Sequence, residues 1–129
     1  MEVEYLIDTN VFLEILLNQE KKEECKIYLT NKFGNISISD FSLHSIGVIL
    51  FRHKKFTIYN SFIEDVLPKI KVEALSKTNY NKVEKIAIQY NLDFDDAYQV
   101  AVAESNNLII STMDKDFNKV VHKHKIDFI

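Results

Sequence analysis

Aspartates crowd both ends of one short apolar stretch in the last third of the chain. The segment DFDDAYQVAVAESNNLIISTMDKDF, residues 93–117, opens with Asp93, Asp95 and Asp96 and closes with Asp114 and Asp116. Acids at the start of a helix stabilise it by about 0.3–1 kcal/mol each, so helix capping is one interpretation. A shared cation is the other, because carboxylate oxygens suit Mg²⁺ and Mn²⁺. Spacing alone leaves both interpretations open.

The chemistry of a shared site would be hydrolysis of a phosphodiester. If Asp8, Asp96, Asp114 and Asp116 met, their ionised carboxylates would repel one another and some would stay protonated. A divalent cation removes this conflict, activates water and neutralises charge that develops on phosphorus-bound oxygens. The formal net charge is -3, so the chain as a whole does not attract a polyanion. The bound cation or a local basic patch would have to do so.

Hydrophobic periodicity predicts short strands that alternate with helices. We expect strands over 3–8, 35–39, 69–75, 108–111 and 126–129, and helices over 9–18, 19–33, 40–52, 58–68, 78–91 and 94–105. The candidate N-caps are Thr9 or Asn10, Ser39 or Asp40, and Asp93. The pattern predicts an α/β fold with three layers (α/β/α), in which helices cover a central, mainly parallel sheet of four to five strands.

This fold would bring the acids to one place. Open parallel sheets bind ligands at the carboxyl ends of their strands. Asp8 ends the first predicted strand, Asp114 and Asp116 follow the strand at 108–111, and Asp96 lies in the first turn of the helix before that strand. We therefore expect the four aspartates to share one edge of the sheet.

Length and composition exclude several other classes of protein. The 129 residues suit one domain, 1–129, and a hydrophobic content of 47% argues against disorder. The one cysteine, Cys25, is consistent with a reducing cytoplasm, and no signal peptide or membrane-spanning apolar run is apparent. We expect a cytoplasmic protein with no membrane association. Two glycines are too few for a Walker A or dinucleotide-binding loop.

Three segments in this order resemble the PIN-domain family, the nuclease fold of VapC-type toxins. They are YLIDTNVFLEIL, DFDDAYQVAVAES and NLIISTMDKDF, and the resemblance covers nearly the whole chain. It implies an endoribonuclease that depends on Mg²⁺ or Mn²⁺, with RNA as substrate, a cognate antitoxin as inhibitor, and a homodimer. It places the catalytic, metal-binding acids at Asp8, Asp96, Asp114 and Asp116, and the polar residues that brace them at Asn10 and Thr112.

One position departs from the family pattern. The family usually carries a Glu in the helix after the second strand, where this chain has Ser45. The alternative to an active ribonuclease is therefore a catalytically weakened PIN-like domain that binds RNA or protein. A phosphorelay receiver, with Asp40 as its phosphoacceptor, ranks below both because Asp40 is poorly placed and no lysine follows a late strand.

A small group of basic residues follows the third predicted helix. Arg52, Lys54 and Lys55 lie in the segment FRHKKF. They are possible RNA contacts, since a local patch would supply the positive charge that the whole chain lacks. A solvated helix end explains them equally simply, because cations there complement the helix dipole.

Overall fold

A five-stranded parallel sheet organises the computed structural model, which describes residues 3–129. Its strands are β1 (Tyr5–Ile7), β2 (Ile36–Ser39), β3 (Lys71–Glu73), β4 (Ile109–Thr112) and β5 (Ile126–Phe128). They lie in the order β3-β2-β1-β4-β5, and every neighbouring pair is parallel. The predicted α/β fold with four to five strands is confirmed. The wholly parallel sheet follows from the helical crossover between each strand and the next.

Helices pack on both faces of this sheet. They are α1 (Thr9–Leu16), α2 (Lys22–Lys32), α3 (Asp40–Arg52), α4 (Phe56–Ser61), α5 (Asn81–Tyr90) and α6 (Phe94–Asn106). Adjacent strand residues face opposite layers, so Leu6 belongs to the hydrophobic core under α5 and α6, while Ile7 belongs to the core under α1 to α4. Both side chains are fully buried.

The topology leaves one crevice at the carboxyl edge of the sheet. From β1 the chain builds outward through β2 and β3, then returns to place β4 on the other side of β1. The strand order therefore reverses between β1 and β4, which is where open α/β sheets bind ligands. Residues Ile7 and Ser111 are paired across this boundary. Asp8 follows one strand directly, and Asp114 lies two residues past the other.

Helix α6 crosses the interior of the molecule on its way to β4. Its residues 96–103 are all buried. Small side chains at Ala97, Ala101 and Ala103 allow this helix to pack closely. Asn107 ends it in a left-handed conformation and donates its N–H to the Ala103 carbonyl, a common way to stop a helix. The first turn of α6 is thereby held at the crevice.

The predicted helix N-caps are confirmed in part. The N-cap of α1 is Asp8, not Thr9 or Asn10, since Asp8 accepts a hydrogen bond from the Thr9 N–H. Asp93 occupies the N-cap position of α6 but makes no capping hydrogen bond through its side chain. Ser39 does cap α3, by accepting from the Ser42 N–H.

The predicted helix over 58–68 is also different in the structure. Helix α4 ends at Ser61, a π-helical turn covers Phe62–Val66, and a 3₁₀ turn covers Leu67–Lys69. Pro68 cannot donate to the preceding turn, so the helix breaks up before it. Within residues 3–129, no helix is both long enough and apolar enough to cross a membrane.

Candidate functional site

Asp8 is held rigidly at the end of β1. Its side chain is buried, and its Oδ1 accepts hydrogen bonds from the Thr9 N–H at 2.9 Å and from Gln99 Nε2 at 3.3 Å. Its Oδ2 accepts from Thr112 Oγ1 at 2.7 Å. These donors come from α1, α6 and β4, so three elements fix one carboxylate. The orientation of Asp8 is set by the fold and not by solvent.

Asp96, Asp114 and Asp116 form a compact group of carboxylates beside it. Each offers one oxygen, and these three oxygens lie within 4.8 Å of one another. Asp96 is buried, Asp114 is half-buried and Asp116 is exposed. Asp114 Oδ1 accepts a hydrogen bond from the Asp116 N–H at 2.9 Å, which shapes the turn after β4. The group therefore runs from the interior of the crevice to its surface.

A cavity of about 240 Å³ opens at this edge of the sheet. The residues that line it are Asp8, Thr9, Asn10, Leu13, Phe41, Asp95, Asp96, Gln99 and Asp114. Asp8 shares the cavity with Asp96 and Asp114, although it stands outside the compact three-acid group. Asp116 belongs to that group but does not line the cavity. The structure thus brings all four aspartates named from the sequence to one edge of the sheet.

The site has a strong excess of negative charge. No lysine, arginine or histidine lines the cavity, and none of its aspartates forms an ion pair with a described residue. Burial, and then the neighbouring Asp95, Asp114, Asp8 and Asp116, raise the pKa of Asp96 from 3.8 to about 7. Burial also raises the pKa of Asp8, although its hydrogen bonds from Thr112, Thr9 and Gln99 oppose the change. Ionising this cluster is costly without a cation.

The two residues expected to brace the acids, Asn10 and Thr112, make different contacts. Thr112 is fully buried and contacts two acids, because its Oγ1 donates to Asp8 and accepts from the Asp114 N–H at 2.9 Å. Asn10 lines the cavity and accepts from the Met113 N–H at 3.5 Å. Asn10 therefore contacts the backbone between Thr112 and Asp114 and makes no hydrogen bond to a carboxylate.

Two lining residues were not selected from the sequence. Asp95 lies at the cavity and accepts a hydrogen bond from the Asp96 N–H at 3.0 Å. Gln99 contacts Asp8 and is almost fully buried. Its signal in the sequence was a single amide inside the apolar run AYQVAVA. Such a residue is unusual on the buried side of a helix unless it has polar partners.

The basic residues after α3 lie away from the acids. None of Arg52, Lys54 and Lys55 lines the acidic cavity. Arg52 instead borders an apolar groove of about 920 Å³ between α3 and the segment 56–67. Helix α3 has 13 residues, so its rise places Arg52 about 18 Å along the axis from Asp40. Arg52 and Lys54 are exposed to solvent.

Helix α3 contributes no acid to the cavity. Its lining residue is Phe41. Ser45 is half-buried on this helix, one turn beyond Ser42. Asp40 is engaged elsewhere: its Oδ1 accepts from the Tyr98 hydroxyl at 2.7 Å and from the Phe41 N–H at 2.9 Å. Asp40 is therefore bound by a buried tyrosine and not directed into the cavity.

Comparison with known proteins identifies the family of this fold. The family model for the PIN domain matches residues 5–123 of the chain. The chain belongs to the PIN-domain family. The match begins at β1 and ends beyond Asp116, so it includes every acid of the site. No curated protein sequence matches this PIN domain significantly.

Solved structures share the fold at low sequence identity. A toxin–antitoxin complex from Klebsiella pneumoniae matches at 22% identity with a TM-score of 0.72, covering 88% of this chain and 90% of that one. A sarcin–ricin loop cleaving VapC toxin from Mycobacterium tuberculosis matches at 15% identity with a TM-score of 0.78, covering 94% and 96%. FitAcB from Neisseria gonorrhoeae matches at 19% identity with a TM-score of 0.74, covering 95% and 96%. Identities this low establish the fold alone.

Proposed function

We propose that this PIN domain is a divalent-cation-dependent endoribonuclease and the toxin of a toxin–antitoxin module. The observation that carries the proposal is the group formed by Asp96, Asp114 and Asp116, whose carboxylate oxygens lie within 4.8 Å of one another next to the rigidly held Asp8. These acids meet at the reversal of strand order, and no basic side chain within the described chain lines their cavity. A structural network of ion pairs would instead contain basic side chains next to the acids.

The donor set fits Mg²⁺ or Mn²⁺. Asp96, Asp114 and Asp116 would hold the ion, with Asp8 as a further oxygen donor, directly or through water. Oxygen ligands of this kind suit hard cations, which keep part of their water shell and contact phosphate. When bound, such an ion lowers the pKa of water and neutralises the charge that develops on the phosphodiester.

The protein's own residues prepare the site for the ion. Asp96, with a pKa of about 7, gives up its proton at little cost near neutral pH when positive charge arrives. Asp8 keeps its position through hydrogen bonds from Thr9, Gln99 and Thr112. Asp116 is exposed and can meet an incoming substrate. Asn10 and Thr112 would support the acids by fixing the backbone between β4 and the following turn.

RNA as substrate and an antitoxin as partner are supported by two of the similar structures. One is named as a toxin–antitoxin complex and another as a toxin that cleaves the sarcin–ricin loop. Arg52, Lys54 and Lys55 remain proposed RNA contacts, at a distance from the cleavage site.

We also propose a homodimer, which light scattering on the purified chain tests directly: a monomer mass at micromolar concentration would contradict it.

Cleavage assays test the proposed activity. The purified protein should cut RNA with Mn²⁺, and Asp8→Asn or Asp96→Asn should lower the rate by about 100-fold or more, since preorganised charge contributes effects of that size. Asp93→Asn is the matched control, because Asp93 is an exposed acid three residues before Asp96 and does not line the cavity. Equal cleavage by all four proteins would identify a contaminating nuclease and remove the support for the proposal.

A PIN fold that binds RNA or protein without cutting is the second candidate. The absence of an α3 acid from the cavity favours it, since Ser45 supplies no carboxylate and Asp40 is bound to Tyr98. Titration of Mn²⁺ by calorimetry distinguishes the two candidates. Binding that Asp96→Asn abolishes supports the nuclease, and no binding at millimolar Mn²⁺ supports the second candidate.

A further inference from the structure

Gln99 is a buried amide at the acidic cavity whose oxygen has no partner. It lies on α6 one turn after Asp96, and its side chain is 2% exposed. It lines the cavity with Asp8, Asp96 and Asp114. Among the described residues, Gln99 Oε1 is the buried side-chain polar atom that lacks a hydrogen bond.

The orientation of this amide is fixed by its nitrogen. Nε2 donates to Asp8 Oδ1 at 3.3 Å and to Ser42 Oγ at 3.1 Å. A carboxylate oxygen only accepts hydrogen bonds, so the NH₂ group must face Asp8. Rotating the amide by 180° would place Oε1 against Asp8 Oδ1 and lose that bond. Oε1 is therefore the end that remains without a protein donor.

The second partner of Nε2 belongs to a buried cluster of hydroxyls. Ser42 Oγ lies 2.7 Å from Thr9 Oγ1 and 3.1 Å from Ser39 Oγ, and Ser42 is fully buried. This hydroxyl cluster anchors Gln99 from α3 while Asp8 anchors it from the end of β1. The amide nitrogen is thus held from two elements, and Oε1 is the end of the amide without a protein donor.

An unpartnered buried oxygen is unfavourable, and native proteins usually satisfy it with water or an ion. The neighbouring cavity of about 240 Å³ is polar and large enough to hold water. A carbonyl-type oxygen is also an accepted ligand of hard divalent cations. Unlike a further carboxylate, it adds an oxygen without adding to the repulsion among the aspartates of the site.

We propose that Gln99 Oε1 is a neutral oxygen donor of the cation site, acting on the ion directly or through a water of its shell. This proposal rests on the cation-dependent function proposed above and adds a residue to it. Gln99 would fix Asp8 with its nitrogen and complete the oxygen set with Oε1.

The test is Mn²⁺ affinity, measured by calorimetry and by the rise in Tm that saturating Mn²⁺ produces. Gln99→Met keeps the length of the side chain and removes its oxygen, so Mn²⁺ should bind about 10–100-fold more weakly. Gln99→Glu returns an oxygen but not the N–H donor to Asp8, so Mn²⁺ affinity should recover most of the loss seen in Gln99→Met. Val102→Ala, a buried change on the core side of the same helix, should lower Tm and leave Mn²⁺ affinity unchanged.

The outcomes separate this proposal from the function on which it rests. One outcome is that the wild type binds Mn²⁺ and Asp96→Asn fails to bind it, while Gln99→Met binds it as tightly as the wild type. That outcome overturns the role of Gln99 and leaves the cation site in place. If Gln99→Glu loses as much affinity as Gln99→Met, the amide is only structural and the proposal is also overturned. If the wild type binds no Mn²⁺, both proposals fall. Should Gln99→Met not fold, the comparison of Gln99→Glu with the wild type decides.

Discussion

Thr112 Oγ1 donates a hydrogen bond to Asp8 Oδ2 across 2.7 Å and joins the end of β4 to the end of β1. The same oxygen accepts from the Asp114 N–H at 2.9 Å. One buried hydroxyl therefore orients two acids that are distant in sequence. Because β1 and β4 are the strands between which the order reverses, this contact lies at the base of the crevice.

Removing that hydroxyl should weaken the cation site. In Thr112→Val the Asp114 N–H and Asp8 Oδ2 each lose a partner, so the free energy of unfolding should fall by about 1–3 kcal/mol. The pKa of Asp8 should rise further, because its bond from Thr112 opposes the effect of burial. Calorimetry should show about 10-fold weaker Mn²⁺ binding. Thr112→Ser keeps the hydroxyl and is the control. Equal Mn²⁺ affinities for Thr112→Val and Thr112→Ser would show that the Thr112 hydroxyl does not support the cation site.

The stability of the metal-free protein should fall as pH rises from 5 to 8. The pKa of Asp96 is about 7 in the folded protein and near 3.8 when unfolded, so in this range the folded state holds a proton that the unfolded state has released. The stabilisation is present at low pH and is lost as pH rises through 7, on the order of 2 kcal/mol. Thermal unfolding in a chelator measures it.

Asp96→Asn is the control for this pH dependence. The variant has no titratable group at position 96, so its stability should change less between pH 5 and 8. Saturating Mn²⁺ should raise the stability of the wild type more at pH 8 than at pH 5. Identical pH profiles for wild type and variant would show that Asp96 is not the group responsible.

Tyr98 should matter for stability and not for the cation. Its hydroxyl donates to Asp40 at 2.7 Å and accepts from the buried Leu75 N–H at 3.1 Å. Tyr98→Phe leaves the Leu75 N–H without its acceptor and leaves Asp40 Oδ1 with the Phe41 N–H alone. The free energy of unfolding should fall by about 1–3 kcal/mol. Mn²⁺ affinity should stay at the wild-type value, since Tyr98 does not line the cavity. A large loss of Mn²⁺ affinity would mean that Asp40 and Tyr98 belong to the site.

Introducing an acid on α3 should strengthen the binding of the cation. Ser45→Glu introduces a carboxylate one turn beyond Ser42, on the face that contacts Gln99. We expect tighter Mn²⁺ binding and faster RNA cleavage, because a further oxygen ligand compensates positive charge on the ion. Ser45→Gln matches the size without the charge and should show a smaller gain in both Mn²⁺ affinity and cleavage rate. Unchanged Mn²⁺ affinity in Ser45→Glu would mean that position 45 is irrelevant in this chain.

The sequence predicted the architecture because its signals were local and repeated. Short apolar strands such as 36–39 and 109–112, separated by amphipathic helices, imply a parallel sheet, and the sheet in turn places Asp8 and Asp114 at one edge. Asp8 stood at the end of a predicted strand, Asp114 and Asp116 a few residues after another, and Asp96 in the first turn of a predicted helix. Their convergence therefore needed only the topology rule and no knowledge of side-chain packing.

Features that depend on packing could not be predicted in the same way. Asp8 was expected to follow a strand, but its role as N-cap of α1 depends on the turn that the chain makes after β1. Asp40 looked like an exposed cap, whereas Tyr98, 58 residues away, donates to it. Gln99 contacts Ser42 across 57 residues. No periodicity links such pairs, because side-chain hydrogen bonds between elements follow from three-dimensional contacts alone.

The most direct test of the shared site is an anomalous-scattering crystal structure of the protein with Mn²⁺. One or more anomalous peaks should appear in the cavity, in contact with oxygens of Asp96 and Asp114 and close to Asp8 and Asp116. A well-ordered cavity without an anomalous peak at saturating Mn²⁺, or a peak bound only by other residues, would show that these aspartates do not form a cation site.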